Sequence, residues 1–232
     1  MDQRLAITWL DHGTFLLTSP TGKQILVDPW LDGNSACPRE WKCVRRADLI
    51  LVTHGHVDHL VQVTRDTGAP VVAIVEICRW LEAKVLRRVC PMNKGGCLTL
   101  DGIDVDMVPA DHSSWLVEED GRIVYLGEPV GFVLGFEDGL CAKVAGDTAV
   151  LGDMALIRRL YAPDIAFLPI GDRFTMGPEG AAVACELLGV RRVVPMHDGT
   201  FPALAGTPAR LRELVEPHGI TVLELRPGET TS

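Results

Sequence analysis

The sequence predicts a layered α/β fold, and three observations lead to this prediction. The N-terminal part holds short apolar or alternating segments separated by turn residues, which is typical of β-strands. The segment Asp48–Thr53 is almost continuously apolar, as expected for a strand that is covered on both faces. Beyond it, strand-like and helix-like segments alternate. A length of 232 residues fits one α/β domain, so we expect a single domain over residues 1–232.

Strands dominate the first half of the predicted chain. They are Arg4–Leu10, Thr14–Thr18, Gln24–Val27, Asp48–Thr53 and Val71–Val75, with a polar loop over residues 30–46. A helix is predicted over Glu76–Val89, because apolar residues recur there at helical spacing. The alternating segment Ile103–Val108 indicates a half-exposed strand.

The second half is predicted to begin with a hairpin and to continue with alternating strands and helices. Val130–Phe136 and Leu140–Ala145 flank the turn sequence Glu137-Asp138-Gly139, which favours a β-hairpin. The later elements are a helix over Met154–Tyr161, a strand over Ile165–Pro169, a helix over Pro178–Leu188, a strand over Arg192–Pro195, a helix over Pro208–Val215 and a strand over Ile220–Leu225. Thr207 suits the N-cap of the last helix, since proline follows at its first position.

Composition and charge exclude several classes of function. The net charge of −9 argues against nucleic acid or an anionic membrane as the main partner. No apolar run reaches the roughly 20 residues of a membrane span, so we expect no integral membrane association. The N-terminus lacks the features of a signal peptide, and the seven cysteines contain no C-x-x-C pair. We therefore expect reduced thiols and a cytoplasmic location. The oligomeric state stays open, a homo-oligomer included.

A histidine-rich motif directly follows the continuous apolar strand. Its metal-binding side chains are His54, His56, Asp58 and His59. Side chains two residues apart in an extended segment point the same way, so His54 and His56 can share one metal ion. Asp58 and His59 come where a helix is expected to begin and can turn towards a second ion. Imidazole and carboxylate groups together suit zinc, iron and manganese.

Other candidate ligands also lie just beyond predicted strands. His112 follows the strand Ile103–Val108, Asp147 follows the hairpin, and His197 follows Arg192–Pro195. Open α/β sheets build their sites from residues at strand ends, so we expect these three side chains to complete the metal site. Three roles remain open for His12. It can orient the substrate, form a hydrogen bond to a metal-binding side chain, or simply form a hydrogen bond to the backbone.

The chain resembles the metallo-β-lactamase fold superfamily. The resemblance rests on the motif Thr53–His59 followed by Asp111-His112-Ser113, Gly146-Asp147-Thr148 and Met196-His197, in the family's order. Further segments resemble the branch that contains L-ascorbate-6-phosphate lactonase and related metal-dependent hydrolases. These segments are Val27-Asp28-Pro29, Pro169-Ile170-Gly171, Thr175-Met176-Gly177-Pro178, Pro195-Met196-His197 and the histidine before a strand, His12.

The resemblance implies a four-layer αββα sandwich with two divalent metal ions at one edge of its two sheets. It implies that one ion is held by His54, His56 and His112 and the other by Asp58, His59 and His197, with Asp147 bridging both. Zinc is the default metal from the ligand types, with manganese or iron as alternatives.

The expected activity is metal-dependent hydrolysis of a small-molecule ester, lactone or phosphoester. Two divalent ions would lower the pKa of a bound water from about 15.7 towards about 7 and so provide hydroxide at neutral pH. Asp58 would orient this water, and His12 is the second catalytic candidate. The loop after Ile165–Pro169 is expected either to form a pocket wall, with Arg173 contacting an anion, or to be a plain surface loop.

Three alternatives remain beside that activity. A phosphodiesterase acting on a phospholipid or nucleotide would use the same ligands. An iron-dependent redox enzyme would use the same scaffold. A non-catalytic metal-binding protein is the third, although a structural zinc site usually closes with four ligands and this chain offers seven candidates.

Overall fold

The computed structural model describes residues 4–55, 67–84, 88–118 and 120–232. The motif residues His56, Asp58 and His59 lie outside these ranges, so their predicted roles are carried forward as predictions. Within the described ranges, no helix combines the length and the apolar character needed to cross a membrane.

The described elements are sixteen strands, four α-helices and two single turns of 3-10 helix. The strands are β1 (Ala6–Trp9), β2 (Phe15–Thr18), β3 (Gln24–Val27), β4 (Leu49–Leu51), β5 (Val71–Ile74), β6 (Val89–Met92), β7 (Cys97–Leu100), β8 (Ile103–Pro109), β9 (Trp115–Val117), β10 (Ile123–Tyr125), β11 (Val130–Gly135), β12 (Cys141–Val144), β13 (Ile165–Pro169), β14 (Arg192–Met196), β15 (Thr221–Val222) and β16 (Thr230–Thr231). The helices are α1 (Val75–Ala83), α2 (Asp153–Tyr161), α3 (Pro178–Leu188) and α4 (Pro208–Val215), and the 3-10 turns are Arg39–Trp41 and Glu216–His218.

Two seven-stranded sheets form the centre of the molecule. The first sheet has the order β16-β1-β2-β3-β4-β5-β6, and the second has the order β15-β14-β13-β12-β11-β8-β7. Strands β9 and β10 form a separate antiparallel pair. The strands from β3 to β6 run parallel, and so do those from β12 to β15. Each sheet therefore contains a parallel half whose strands all end at the same edge.

The helices cover the two sheets from outside. Along β13, alternate side chains point to opposite faces, so Ile165 and Phe167 enter the main core while Ala166 and Leu168 meet a second apolar cluster. The main core joins residues of both sheets, and the second cluster lies between the second sheet and α2, α3 and α4. Helix α1 packs beside β5 and β6 of the first sheet. The predicted four-layer αββα sandwich is confirmed.

Several predicted boundaries were wrong for identifiable reasons. The helix predicted over Glu76–Val89 begins at Val75 and ends at Ala83, and Val89 instead starts β6, where it pairs with Val71. The last predicted strand is reduced to Thr221–Val222. The predicted hairpin is confirmed, since β11 and β12 pair antiparallel. Five further strands were not predicted, namely β6, β7, β9, β10 and β16. They are short, and their pairing with neighbouring strands defines them.

Candidate metal centre

Four of the predicted ligands come from the ends of strands in both sheets. His54 follows β4 in the first sheet, whereas His112, Asp147 and His197 follow β8, β12 and β14 in the second. Strand β8 is antiparallel to β11, which is antiparallel to β12, so β8 and β12 run in the same direction. Their carboxyl ends therefore share one edge of the sheet with the end of β14.

These four side chains converge on one carboxylate oxygen. Asp147 Oδ2 lies 3.0 Å from His197 Nε2, 3.6 Å from His54 Nε2 and 3.7 Å from His112 Nε2. Ligand atoms of His54, His112 and Asp147 all lie within 4.8 Å of one another. Only 3% of Asp147 is exposed, so its carboxylate faces three imidazoles in an environment with little water. An inward-facing set of nitrogen and oxygen donors fits a divalent metal ion chemically.

Thr53 orients the His54 ring through a hydrogen-bonded chain. The Thr53 hydroxyl donates to Asp28 Oδ2 at 2.7 Å and lies 2.8 Å from His54 Nδ1. Its single proton is used on Asp28, so the hydroxyl accepts from Nδ1–H of His54. This leaves the lone pair of His54 on Nε2, which is the nitrogen that faces Asp147. Residues behind metal-binding histidines commonly set the tautomer in this way.

His12 lies beside His197 at the same site. The two ring centroids are 3.9 Å apart. His12 Nδ1 lies 3.1 Å from the hydroxyl of Thr200, which donates to Asp11 Oδ2 at 3.2 Å. Since that hydroxyl gives its proton to Asp11, it accepts from Nδ1–H of His12, and Nε2 is left as the acceptor of the ring.

The backbone holds these two histidines in uncommon conformations. His12 has φ +55° and His197 has φ +58°, and both values lie in the left-handed region that residues other than glycine rarely adopt. The His12 carbonyl accepts hydrogen bonds from the His197 backbone N–H at 3.1 Å and from Trp9 Nε1 at 3.0 Å. Such strain persists where surrounding contacts enforce it, and it concentrates at functional sites.

Close backbone approach lets the two sheets meet at the site. Gly146 has φ +65°, and a Cβ there would lie 2.7 Å from the Cβ of Thr53. Gly55 N–H donates to Ser114 Oγ at 3.0 Å, which ties the end of the first sheet to the loop that carries His112. The position of Asp147 relative to His54 therefore depends on glycine at position 146.

Burial changes the proton affinity of two carboxyl groups near His12. Burial raises the pKa of Asp11, although hydrogen bonds from Asn34 and Thr200 oppose this change. Burial also raises the pKa of Asp198 to about 6, and the charge of Asp11 adds to the rise.

A cavity of about 290 Å³ opens next to the converging ligands. Its lining residues are His12, His112, Ser113, Trp115, Asp147, Phe174, His197 and Phe201. Phe174 belongs to the loop after β13, which was expected to be either a pocket wall or a plain surface loop, and it lines the cavity. Arg173 is not among the lining residues, and its guanidinium carbon lies 5.6 Å from the ring centroid of Phe174.

Sequence reasoning did not identify all the residues around this site. Thr53 was part of the quoted motif, and its position directly before His54 was the available signal. Thr200, Trp115 and Phe201 carried no signal, because nothing in the sequence brings them to the histidines.

Comparison with known proteins identifies the family. Residues 23–197 match the family model described as the beta-lactamase superfamily domain. A UPF0173 metal-dependent hydrolase of Rubrobacter xylanophilus is 49% identical over 228 residues, which cover 96% of this chain and 94% of that protein. One from Solibacter usitatus is 46% identical, with coverage of 97% and 98%.

A solved structure supports the same relationship. A metallo hydrolase from the archaeon Ignicoccus hospitalis has a TM-score of 0.85 and 35% identity, with coverage of 98% of this chain and 97% of that chain. The predicted superfamily is thereby confirmed. The finer resemblance to L-ascorbate-6-phosphate lactonase stays a prediction.

Proposed function

Because this chain belongs to the β-lactamase superfamily and its relatives are metal-dependent hydrolases, we propose that it hydrolyses a small-molecule ester, lactone or phosphoester with two divalent metal ions. The observation that carries the proposal is the convergence of His54, His112 and His197 on Asp147 Oδ2. The donors come from two sheets, and His54, Asp147 and His197 are buried. A cavity beside them leaves room for a substrate.

The proposed ligand set combines described and undescribed residues. His54, His56 and His112 would hold one ion, and Asp58, His59 and His197 would hold the other. Asp147 would bridge them, which is supported by the approach of three histidines to a single carboxylate oxygen. When bound, such ions lower the pKa of a coordinated water and polarise the substrate oxygen. Zinc is the default metal, with manganese and iron as alternatives.

We propose catalytic roles for two residues. Asp58 would orient the attacking water and take up its proton. His12, with Nε2 as the acceptor of its ring, would accept a hydrogen bond from the substrate or from this water. The contact from Thr200, backed by Asp11, would hold His12 in the required tautomer.

We also propose that residues 1–232 act as a single cytoplasmic domain on small molecules. Support for one domain comes from the main core, which joins residues of both sheets. The net charge of −9 disfavours nucleic acid as the substrate.

The test combines metal analysis with hydrolysis assays on the protein as purified. We expect about two zinc or manganese ions per chain and hydrolysis that stops on chelation and returns with the metal. Asp147→Ala should lose metal and reduce activity at least 100-fold, whereas the exposed Asp153→Ala should retain both. Metal-free protein that gains no activity with any of the three metals would contradict the proposal, and about one iron per chain with oxidation activity would replace it with redox chemistry.

A further inference from the structure

Three aromatic side chains surround the opening of the cavity beside the candidate metal centre. Trp115, Phe174 and Phe201 line it and are 41%, 55% and 42% exposed. They are called the aromatic rim below. Each comes from a different loop or strand end, so chain connectivity does not explain why they meet. Exposed apolar side chains that gather at one concave opening are typical of a binding site.

One member of the rim, Phe201, is held in place by further aromatic contacts. The ring centroid of Phe201 lies 5.6 Å from that of His12 in an edge-on arrangement and 5.9 Å from that of Trp30. Trp30 also lies edge-on to His12, at 5.4 Å. Separations of this size are those of favourable aromatic pairs, so Phe201 is pre-positioned next to a catalytic candidate.

The side chains that are described around the cavity favour a neutral group on the substrate over an anionic one. The described lining residues include no lysine or arginine, and their only carboxylate is Asp147. Arg173, the predicted anion contact in the loop after β13, lies beside the Phe174 ring and is not among the lining residues. An anionic substituent placed against the three aromatic rings of the rim would lose water without gaining a hydrogen bond or an opposite charge from those rings.

We infer that the aromatic rim binds a neutral, apolar and preferably aromatic group of the substrate, next to the bond that is hydrolysed. The inference rests on the proposed function and narrows it: neutral esters and lactones with such a group are favoured over phosphorylated or carboxylated substrates. The cavity of about 290 Å³ has room for such a group.

The first test uses three lactones that share the same reacting bond. The compounds are γ-butyrolactones that carry a phenyl, a methyl or a carboxylate group at the γ-carbon, and kcat/KM is measured for each with metal-loaded protein. We expect kcat/KM of the phenyl compound to be about tenfold higher than that of the methyl compound. Its advantage over the carboxylate compound should be larger still. In Phe174→Ala and Phe201→Ala the phenyl-to-methyl ratio should fall towards one. Leu160→Ala, which removes an exposed apolar side chain on α2, should leave the ratio unchanged.

The opposite pattern would overturn the inference. A preference for the carboxylate compound, or a phenyl-to-methyl ratio that both rim variants retain, would show that the rim does not select the substrate. Hydrolysis of the lactones without such selection would leave the proposed function standing.

A binding measurement separates the rim from the chemistry. Phenylacetamide and succinamate are titrated while tryptophan fluorescence is followed, since Trp115 and Trp30 lie at the site. We expect phenylacetamide to bind at least tenfold more tightly, and Phe201→Ala to weaken it. This result, together with no hydrolysis of any ester, lactone or phosphoester by the metal-loaded protein, would support the rim and contradict the proposed function. Equal binding of the two probes, or binding of neither, would contradict the inference that the rim binds a neutral aromatic group.

Discussion

At the scale of single residues, Thr53 links the fold to the candidate metal centre. It ends the apolar segment of the first sheet, and its backbone N–H and hydroxyl both donate to Asp28, at 2.8 and 2.7 Å. The same hydroxyl lies 2.8 Å from His54 Nδ1, so one buried side chain sets the tautomer of a predicted ligand. Thr53 is fully buried, and water cannot replace this contact without rearrangement.

We expect Thr53→Val to weaken metal binding about 10- to 100-fold, because removing the partner behind a ligand histidine frees its ring and its tautomer. Valine keeps the branched shape, so packing changes little. Competition with a chelator of known affinity gives the dissociation constant. Thr221→Val, at an exposed threonine of β15, is the matched control. A wild-type dissociation constant in Thr53→Val would mean that the hydrogen bond does not orient His54.

At the scale of elements, β11 and β12 enclose a buried lysine. Lys143 lies on β12 and is 1% exposed, and its Nζ donates to the Val144 carbonyl at 2.8 Å. Gly131 on β11 leaves room for this ammonium group, since a Cβ there would collide with Lys143 Nζ. Burial lowers the pKa of Lys143 from 10.5 to about 7. The strand pair therefore encloses an amino group whose neutral form is favoured by burial.

This pKa predicts how stability depends on pH. Between about pH 7 and 10.5 the unfolded chain keeps a proton that the folded lysine has released, so the free energy of unfolding rises with pH in this window. At pH 6 the folded state carries the full cost of the buried charge. Lys143→Met should therefore stabilise the protein at pH 6 by roughly 1–4 kcal/mol, with a gain that shrinks above pH 7.

Urea denaturation at pH 6, 8 and 9.5 measures this gain. Lys84→Met, at an exposed lysine after α1, should show no comparable gain at any of these pH values. A Lys143→Met protein that is less stable than wild type at pH 6 would show that the bond to Val144 outweighs the cost of burying the charge.

At the scale of the whole molecule, the candidate metal centre joins the two sheets. His54 belongs to the first sheet, while His112, Asp147 and His197 belong to the second. An ion bound by both groups would stabilise the folded state, because the unfolded chain does not hold these donors together.

Chelation should therefore lower the melting temperature. Metal at 100 times its dissociation constant contributes about 2.7 kcal/mol, which corresponds to roughly 5–10 °C for a chain of this length. His54→Ala should lose most of this shift, and His218→Ala, at an exposed histidine, should keep it. Differential scanning calorimetry with and without chelator measures the effect. Identical melting temperatures for the wild type would argue against a metal shared by the two sheets.

Local sequence patterns were enough to predict the fold class, the family and the strand-end positions of the candidate ligands, because apolar periodicity and the motif at His54 need no long-range contact to be recognised. They also placed the hairpin and the later helices, whose turn and capping residues are local signals. The tertiary structure decided what depends on long-range contact. Strand β6 begins at Val89, inside the predicted helix, because it pairs with β5. His12 meets His197 and Thr200 only because the two sheets pack together. The aromatic rim likewise gathers three segments that are distant along the chain. Contacts between residues so distant along the chain leave no periodicity in the sequence, so only the folded structure brings them together.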